Sequence, residues 1–259
     1  MRDFLRSIME EAGSLSKTYF DKGVSFETKS NLYDLLTEAD LAVSDFLVNA
    51  IHREYPEHQI SSEERETPIN PGADYEWVID PIDGTRNFAN GIPLWCHIIA
   101  VEYKGETLYA GVYNSIVKEF FFAEQGKGAS MNGMPIKINA KPNLVHSVGS
   151  FSRHYENDVV YGTHAERYIE LGVRLLRETK TWLQSHGTVL PMCYVASGGL
   201  DFFLQNAGLD HDFLAPVLIC REAGARVTDS DGNEWRRGRQ DIVIANPKIH
   251  ERIMELMRG

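Results

Sequence analysis

Apolar positions open the chain at helical spacing: Phe4, Leu5, Ile8, Met9, Ala12, Leu15 and Tyr19 fall on one face of an amphipathic helix. The same period returns from Leu41 to Tyr55 with Phe46, Leu47, Ala50 and Ile51. Asp40 stands at the start of this helix, and Pro56 stops it. The middle of the chain changes character. Trp77-Val78-Ile79, Trp95 to Tyr103, Thr107 to Tyr113 and Glu119 to Ala123 are rich in β-branched and aromatic residues and read as strands, with hairpin turns at Lys104-Gly105 and Gly126-Lys127-Gly128. The second half alternates. Strands are expected near 147–151, 201–204, 226–228 and 242–245, and helices near 165–177, 190–197, 213–223 and 249–257. Such a mixture predicts stacked layers of helix and sheet. The pattern breaks weakly at 140–145, around Lys141-Pro142-Asn143, dividing one domain over 1–259 into two halves.

Composition adds bounds. With 259 residues, 43% of them hydrophobic, the chain can bury a large core. A formal charge of -11 argues against a surface for duplex nucleic acid and is compatible with acids gathered to hold cations. Cys96, Cys193 and Cys220 form no C-x-x-C pair, so reduced thiols in a cytoplasmic protein are expected. Arg2, Asp3, Arg6, Glu10 and Glu11 interrupt any signal-peptide-like run near residue 1, and no membrane span is predicted.

The chemistry concentrates at Asp80-Pro81-Ile82-Asp83-Gly84-Thr85. An apolar strand ends on Asp80, Pro81 removes a ladder donor and turns the chain, and the two carboxylates can face one point with the Ile82 carbonyl between them. Hard oxygens of this kind suit Mg²⁺. Gly84 allows close backbone approach, and a helix starting at Thr85 would aim N–H groups at an anion. The same residues also make an ordinary surface turn. One turn supplies too few oxygens for a closed site, so other acids are required. Glu63, after Ser61-Ser62, reads either as a strand-end carboxylate or as part of a helix start. Asp212 and Asp40 read either as ligand-side acids or as helix N-caps.

Taken in order, Asp34-Leu35-Leu36-Thr37-Glu38-Ala39-Asp40, Glu63-Glu64, Trp77 through Phe88, and Asp212 with Glu222-Ala223-Gly224-Ala225 resemble the successive motifs of the inositol monophosphatase family. The resemblance spans nearly the whole chain. It implies an αβαβα sandwich and a lithium-sensitive homodimer. It also implies two or three Mg²⁺ ions held by Glu63, Asp80, the Ile82 carbonyl, Asp83 and Asp212. Thr85 and Asp40, with Glu63, would position and activate water for in-line hydrolysis, and the backbone of Gly84 and Thr85 would grip phosphate. Lys29 falls at the family's mobile-loop lysine. Asp83, Gly187, Thr188, Val189, Gln205 and Asp212 would meet the substrate. The D-x-x-D spacing separates the motif from the D-x-D of haloacid-dehalogenase phosphatases.

Three departures fall on the alcohol side of this pattern. His211 replaces the aromatic neighbour usual before the aspartate, Gln205 stands where inositol-hydrolysing members present a glutamate, and Gly187-Thr188-Val189 replaces Gly-Ser-Ala. His211 is expected to pack beside the site. Trp182, His154 and His164 could lie near the substrate, although packing or surface exposure accounts for each. The expected activity is Mg²⁺-dependent hydrolysis of a small phosphomonoester, such as an inositol, histidinol or sugar phosphate. Two alternatives are a 3′(2′),5′-bisphosphate nucleotidase and a non-catalytic regulatory relative that binds a partner.

Overall fold

Alternate residues of an extended chain face opposite sides of a sheet, so strands that are apolar at every position must be covered on both faces. Several strands here have that character. In a computed structural model, residues 1–23, 26–28, 35–152 and 164–258 are described. The first half runs α1 (Arg2–Lys22), β1 (Phe26–Thr28), β2 (Leu35–Thr37), α2 (Glu38–Glu54), β3 (Gln59–Ser62), β4 (Tyr75–Asp83) and α3 (Thr85–Ala89). It continues through β5 (Cys96–Tyr103), β6 (Glu106–Asn114), β7 (Glu119–Glu124), β8 (Gly128–Met131) and β9 (Met134–Pro135). The second half runs β10 (Val148–Ser152), α4 (Ala165–Glu178), β11 (Trp182–Gln184), α5 (Pro191–Ala196), β12 (Phe202–Gln205), α6 (Asp210–Glu222), β13 (Arg226–Thr228), β14 (Ile242–Ala245) and α7 (Pro247–Arg258).

Among the described residues, β3 through β9 form a seven-stranded sheet in sequence order, parallel only between β3 and β4. A five-stranded sheet has the order β11-β10-β12-β14-β13. Period-two alternation sorts the strands into three cores. Trp77, Ile79, Ile99 and Val101 pack with Leu5, Met9, Val43, Leu47 and Ile51 of α1 and α2. Val78, Ile98 and Ala100 face the other way, onto Met192, Phe213, Leu214 and Val217 of α5 and α6, which also meet Phe203, Ile242 and Ile244 of the second sheet. The opposite face of that sheet, with Phe202, Leu204, Val243 and Ala245, is covered by Tyr168, Leu171, Ile249 and Ile253 of α4 and α7. The layers are therefore helices, sheet, helices, sheet, helices, as the expected αβαβα sandwich requires.

Several local expectations need correction. Pro81 does not end its strand; β4 continues to Asp83 across a register shift. Ser61 and Ser62 belong to β3 and Glu63 follows the strand, so no helix starts there. α2 begins three residues before Leu41, with Thr37 as cap and Asp40 inside the first turn. α6 begins at Asp210, which leaves Asp212 inside its first turn rather than at the cap. Short strands β1, β2, β8, β9 and β11 carry too few residues for a period to register. No helix among the described residues is long and apolar enough to cross a membrane. Cys96, Cys193 and Cys220 are free and buried.

Two polar junctions fix how the layers meet. Across 140–145, Asn139 Nδ2 and Lys141 Nζ each lie 2.7 Å from the buried Asp201 carboxylate, which also accepts the Val148 N–H at 2.7 Å. On the other side, Arg237 Nη1 lies 2.7 Å from Glu76 Oε2 of β4 and pairs with Glu102 of β5. Its Nε lies 2.9 Å from Asp210 Oδ2, at the first residue of α6. Glu102 has a side-chain exposure of only 2%, so without Arg237 a buried carboxylate loses its cation. We predict that Arg237→Met lowers the unfolding free energy by about 1–3 kcal/mol, below the full buried-pair effect because Arg237 is half-exposed. Adding Glu102→Gln should recover part of the loss in a urea titration; equal midpoints for wild type and Arg237→Met would show that the network contributes nothing.

Candidate metal centre

The acidic turn sits on β4, buried on both faces. Asp80 pairs with Ile98 and Asp83 with Cys96, so β4 carries one more residue than β5 over the same interval. This bulge leaves the Pro81 carbonyl outside the ladder, and it accepts a hydrogen bond from His97 Nδ1. A carbonyl can only accept, so Nδ1 carries the proton. Burial pushes the His97 pKa down to about 4, so the ring is neutral and Nε2 accepts from Ser16 Oγ of α1 at 3.1 Å. Gly84 follows at φ 90, a left-handed conformation, and a Cβ there would stand 3.2 Å from both Leu94 O and Thr188 Cβ. The α3 ladder then begins with Phe88 N–H on Gly84 O (3.0 Å). The first-turn N–H groups lie outside that ladder.

Asp40 reaches the turn from α2. Its Oδ2 accepts from the Thr37 N–H (2.8 Å) and the Thr37 hydroxyl (2.5 Å), the reciprocal half of a capping box. Its Oδ1 lies 3.3 Å from Thr85 Oγ1, which is also 3.0 Å from the Ile82 carbonyl. One hydroxyl proton serves only one of these acceptors at a time. Glu63 is set by its N–H on Ile79 O (3.0 Å), and Asp212 by its Oδ2 on the Leu209 N–H (2.6 Å).

Donor atoms of Asp80, Asp83 and Asp212 lie within 4.8 Å of one another, and so do those of Glu63, Asp80 and His211. Asp80 is common to both groups. His211 Nε2 stands 3.9 Å from Glu63 Oε2 and 3.9 Å from Asp212 Oδ2. Burial and then the charge of Asp212 push the Asp83 pKa up to about 7, against hydrogen bonds from Thr188, Cys96 and Val189. Asp80 is raised well above the usual range by burial and by Glu63, Asp83, Asp212 and Asp40. Asp80 Oδ1 is buried with no hydrogen-bond partner among the described residues. An unpartnered, buried carboxylate oxygen among converging acids fits an oxygen-bound divalent cation such as Mg²⁺, which would remove both the repulsion and the missing partner.

Other expected residues fall as follows. Thr188 and Val189 face Asp83, through the Thr188 hydroxyl and through the Val189 N–H at 2.9 Å. Gly187 adopts φ 66 beside Asn87, whose Nδ2 donates to both Leu94 O and His186 O at 2.7 Å. Gln205 ends β12, buried, and donates to the Ala207 carbonyl. Trp182 is 68% exposed and His164 is exposed at the start of α4. Lys29 and His154 lie outside the described residues. Cys96, 3.3 Å from Asp83 Oδ2, His97 and Asn87 were not anticipated. Cys96 and His97 meet partners 13 or more residues away, and Asn87 joins Leu94, seven residues on, to His186, 99 residues on, so no local pattern marks them. A cleft of roughly 300 Å³ lined by Gly208, Leu209, Asp210, His211, Gly238 and Gln240 opens at His211.

A model of the inositol monophosphatase family matches residues 1–259. The chain belongs to that family. Among curated relatives of this inositol monophosphatase family member, "Nus factor SuhB" of Salmonella typhimurium is 29% identical over 254 residues, 98% of this chain and 94% of the relative. "Fructose-1,6-bisphosphatase/inositol-1-monophosphatase" of Thermotoga maritima is 28% identical over 255 residues, with the same shares. The crystal structure of extragenic suppressor protein suhB from Bartonella henselae aligns with a TM-score of 0.92 at 25% identity, covering 100% of this chain and 98% of that one.

The crowded acids make metal-free stability depend on pH. Asp83 keeps its proton to about pH 7 in the fold but ionises near 3.8 when unfolded, so its contribution falls as pH rises through that window and stays lost above it. His97 works the other way, losing stability as pH drops from 6.5 towards about 4. The wild-type profile alone therefore mixes both. In chelator, the melting temperature of Asp83→Asn relative to wild type should rise steadily from about pH 4 to 7. A difference that does not change with pH would mean that Asp83 does not titrate there.

Proposed function

We propose that this chain is a Mg²⁺-dependent phosphomonoesterase acting on a small phosphomonoester, an inositol, histidinol or sugar phosphate. The observation that carries this reading is the buried, partnerless Oδ1 of Asp80 inside a cluster of carboxylates. In this reading Glu63, Asp80, the Ile82 carbonyl, Asp83 and Asp212 hold the ions. When bound, Mg²⁺ supplies Lewis-acid polarisation of water and phosphoryl oxygens and offsets charge on the leaving alkoxide.

The chain's own residues supply orientation and a path for the proton. Thr85 Oγ1 can donate to Asp40 Oδ1 while its lone pair accepts from the attacking water, so the proton moves towards Asp40. Thr37 fixes the other Asp40 oxygen and keeps Oδ1 turned to Thr85. Gly84, whose positive φ and close neighbours disfavour a side chain, and the first turn of α3 offer backbone N–H groups to phosphate. Thr188, Val189 and Cys96 hold one oxygen of Asp83, so the 187–189 turn acts on the ion site as well as bordering the substrate. The neutral amide of Gln205 and the imidazole of His211 favour an alcohol other than the myo-inositol 1-position.

A second reading, a partner-binding protein that retains the cluster, draws on the name "Nus factor" carried by relatives from Salmonella typhimurium and Escherichia coli. Phosphate release from a panel of phosphomonoesters, with and without Mg²⁺ and Li⁺, separates the two. Release that requires Mg²⁺ supports the enzyme, and no release from any substrate sinks it. We predict that Asp83→Asn stays folded but loses turnover together with Mg²⁺ binding. By contrast, Asp40→Asn and Thr85→Val should keep Mg²⁺ affinity and lose about 10²–10⁴-fold in kcat, the usual effect of removing general-base assistance. Near-wild-type turnover by Thr85→Val would remove the hydroxyl from the proton path.

A further inference from the structure

The phosphatase reading uses His211 only beside the alcohol, although its ring also faces the acids. Its Nε2 is 3.9 Å from Glu63 Oε2 and 3.9 Å from Asp212 Oδ2, beyond hydrogen-bond distance from either. Two donors that share one ion at about 2.0–2.2 Å stand no more than roughly 4.4 Å apart, so the two His211 separations suit a shared ion. The donor atoms of Glu63, Asp80 and His211 lie within 4.8 Å of one another, a set that would draw in slightly around one ion. Its deepest member, Asp80, is 2% exposed and has the oxygen without a hydrogen-bond partner.

We infer that His211 is a nitrogen ligand of the ion at Glu63 and Asp80, giving that position a preference for a transition-metal dication over Mg²⁺. The inference rests on the ligand assignment above. Mg²⁺ takes hard oxygens and sheds water reluctantly, whereas imidazole suits Zn²⁺, Fe²⁺ and Ni²⁺. The three acids Asp80, Asp83 and Asp212 keep an all-oxygen set for Mg²⁺. The two positions thereby differ in chemistry, and Asp80 belongs to both. His211 follows Asp210, which Arg237 Nε and the Gly238 N–H hold at 2.9 and 2.8 Å, so the first turn of α6 that carries the ring is itself anchored.

The experiment reads metal binding rather than turnover. Metal-free protein is loaded with Mn²⁺, and pulsed electron paramagnetic resonance looks for ¹⁴N coupling to the ion; calorimetry in parallel gives Zn²⁺ and Mg²⁺ affinities. Wild type should show imidazole-type ¹⁴N coupling, absent from His211→Phe and His211→Gln. Because losing even an outer partner of a metal ligand costs about 10–100-fold, the Zn²⁺-over-Mg²⁺ preference should fall by at least about tenfold in both variants, with Mg²⁺ affinity nearly unchanged. No ¹⁴N coupling in wild type, coupling that persists in the variants, or an unchanged preference would each overturn the assignment. Two variants of different polarity guard against a folding defect in one. A protein that passes this test without phosphatase activity would keep the metal assignment and lose the enzyme reading.

Discussion

The bulge in β4 between Asp80 and Asp83 is the constraint on which the site depends. A regular strand would send these two carboxylates to opposite faces, since their spacing is odd. The extra residue lets both join Asp212 in one group. A bulge leaves backbone polar groups without ladder partners, and inside a sheet buried on both faces that is costly. His97 meets the cost by taking the Pro81 carbonyl, and Ser16 on α1 completes the chain through the other ring nitrogen. The apolar packing of α1 on this sheet therefore has a polar seam whose end is the acidic turn. Distance from the acids does not make α1 irrelevant to them.

Around that turn, electrostatics oppose the fold where packing supports it. Asp80 and Asp83 are almost fully buried, and their neighbours include further acids, so the metal-free site is poorly matched to its own charges. Such a cluster persists because rigid elements impose it: β4 at the centre of two cores, the capped start of α2, and the α6 first turn held by Arg237. Asp83 has three donors on one oxygen. Asp80 is the most exposed to repulsion and has the oxygen without a donor. The contrast separates a carboxylate oriented by protein from one whose partner must come from solution.

What the amino-acid order disclosed followed from periodicity and from local motifs. Strand alternation and helix period were enough for five layers, because Trp77 and Ile79 must go one way and Val78 the other. Asp80 through Thr85 was legible as chemistry because a turn, two acids and a glycine are adjacent. Pro81 misled the strand boundary, since proline forbids a ladder donor but a bulge needs none at that position. Thr37 was readable as a cap only once Asp40 was seen as its reciprocal partner rather than as a cap itself. Thr188 and Val189, 105 and 106 residues from Asp83, and Asn87, 99 residues from His186, meet only in the folded chain. No local rule marks such pairs.

The first turn of α6 explains how the chain can vary beside a fixed acid. Asp212 is oriented by a bond from the Leu209 N–H, within its own turn. Asp210 points the other way, to Arg237 and the Gly238 N–H, and ties the turn to the first sheet. Between these two anchored aspartates, His211 is free to differ without moving either. It borders both the cleft over Gly208 and Gly238 and the carboxylates of Glu63 and Asp212. A substitution at this one position can thus alter the ion environment and the space beside it while leaving the oxygen set of Asp80, Asp83 and Asp212 as it is. The same cannot be said of Thr188, whose hydroxyl donates to Asp83 directly.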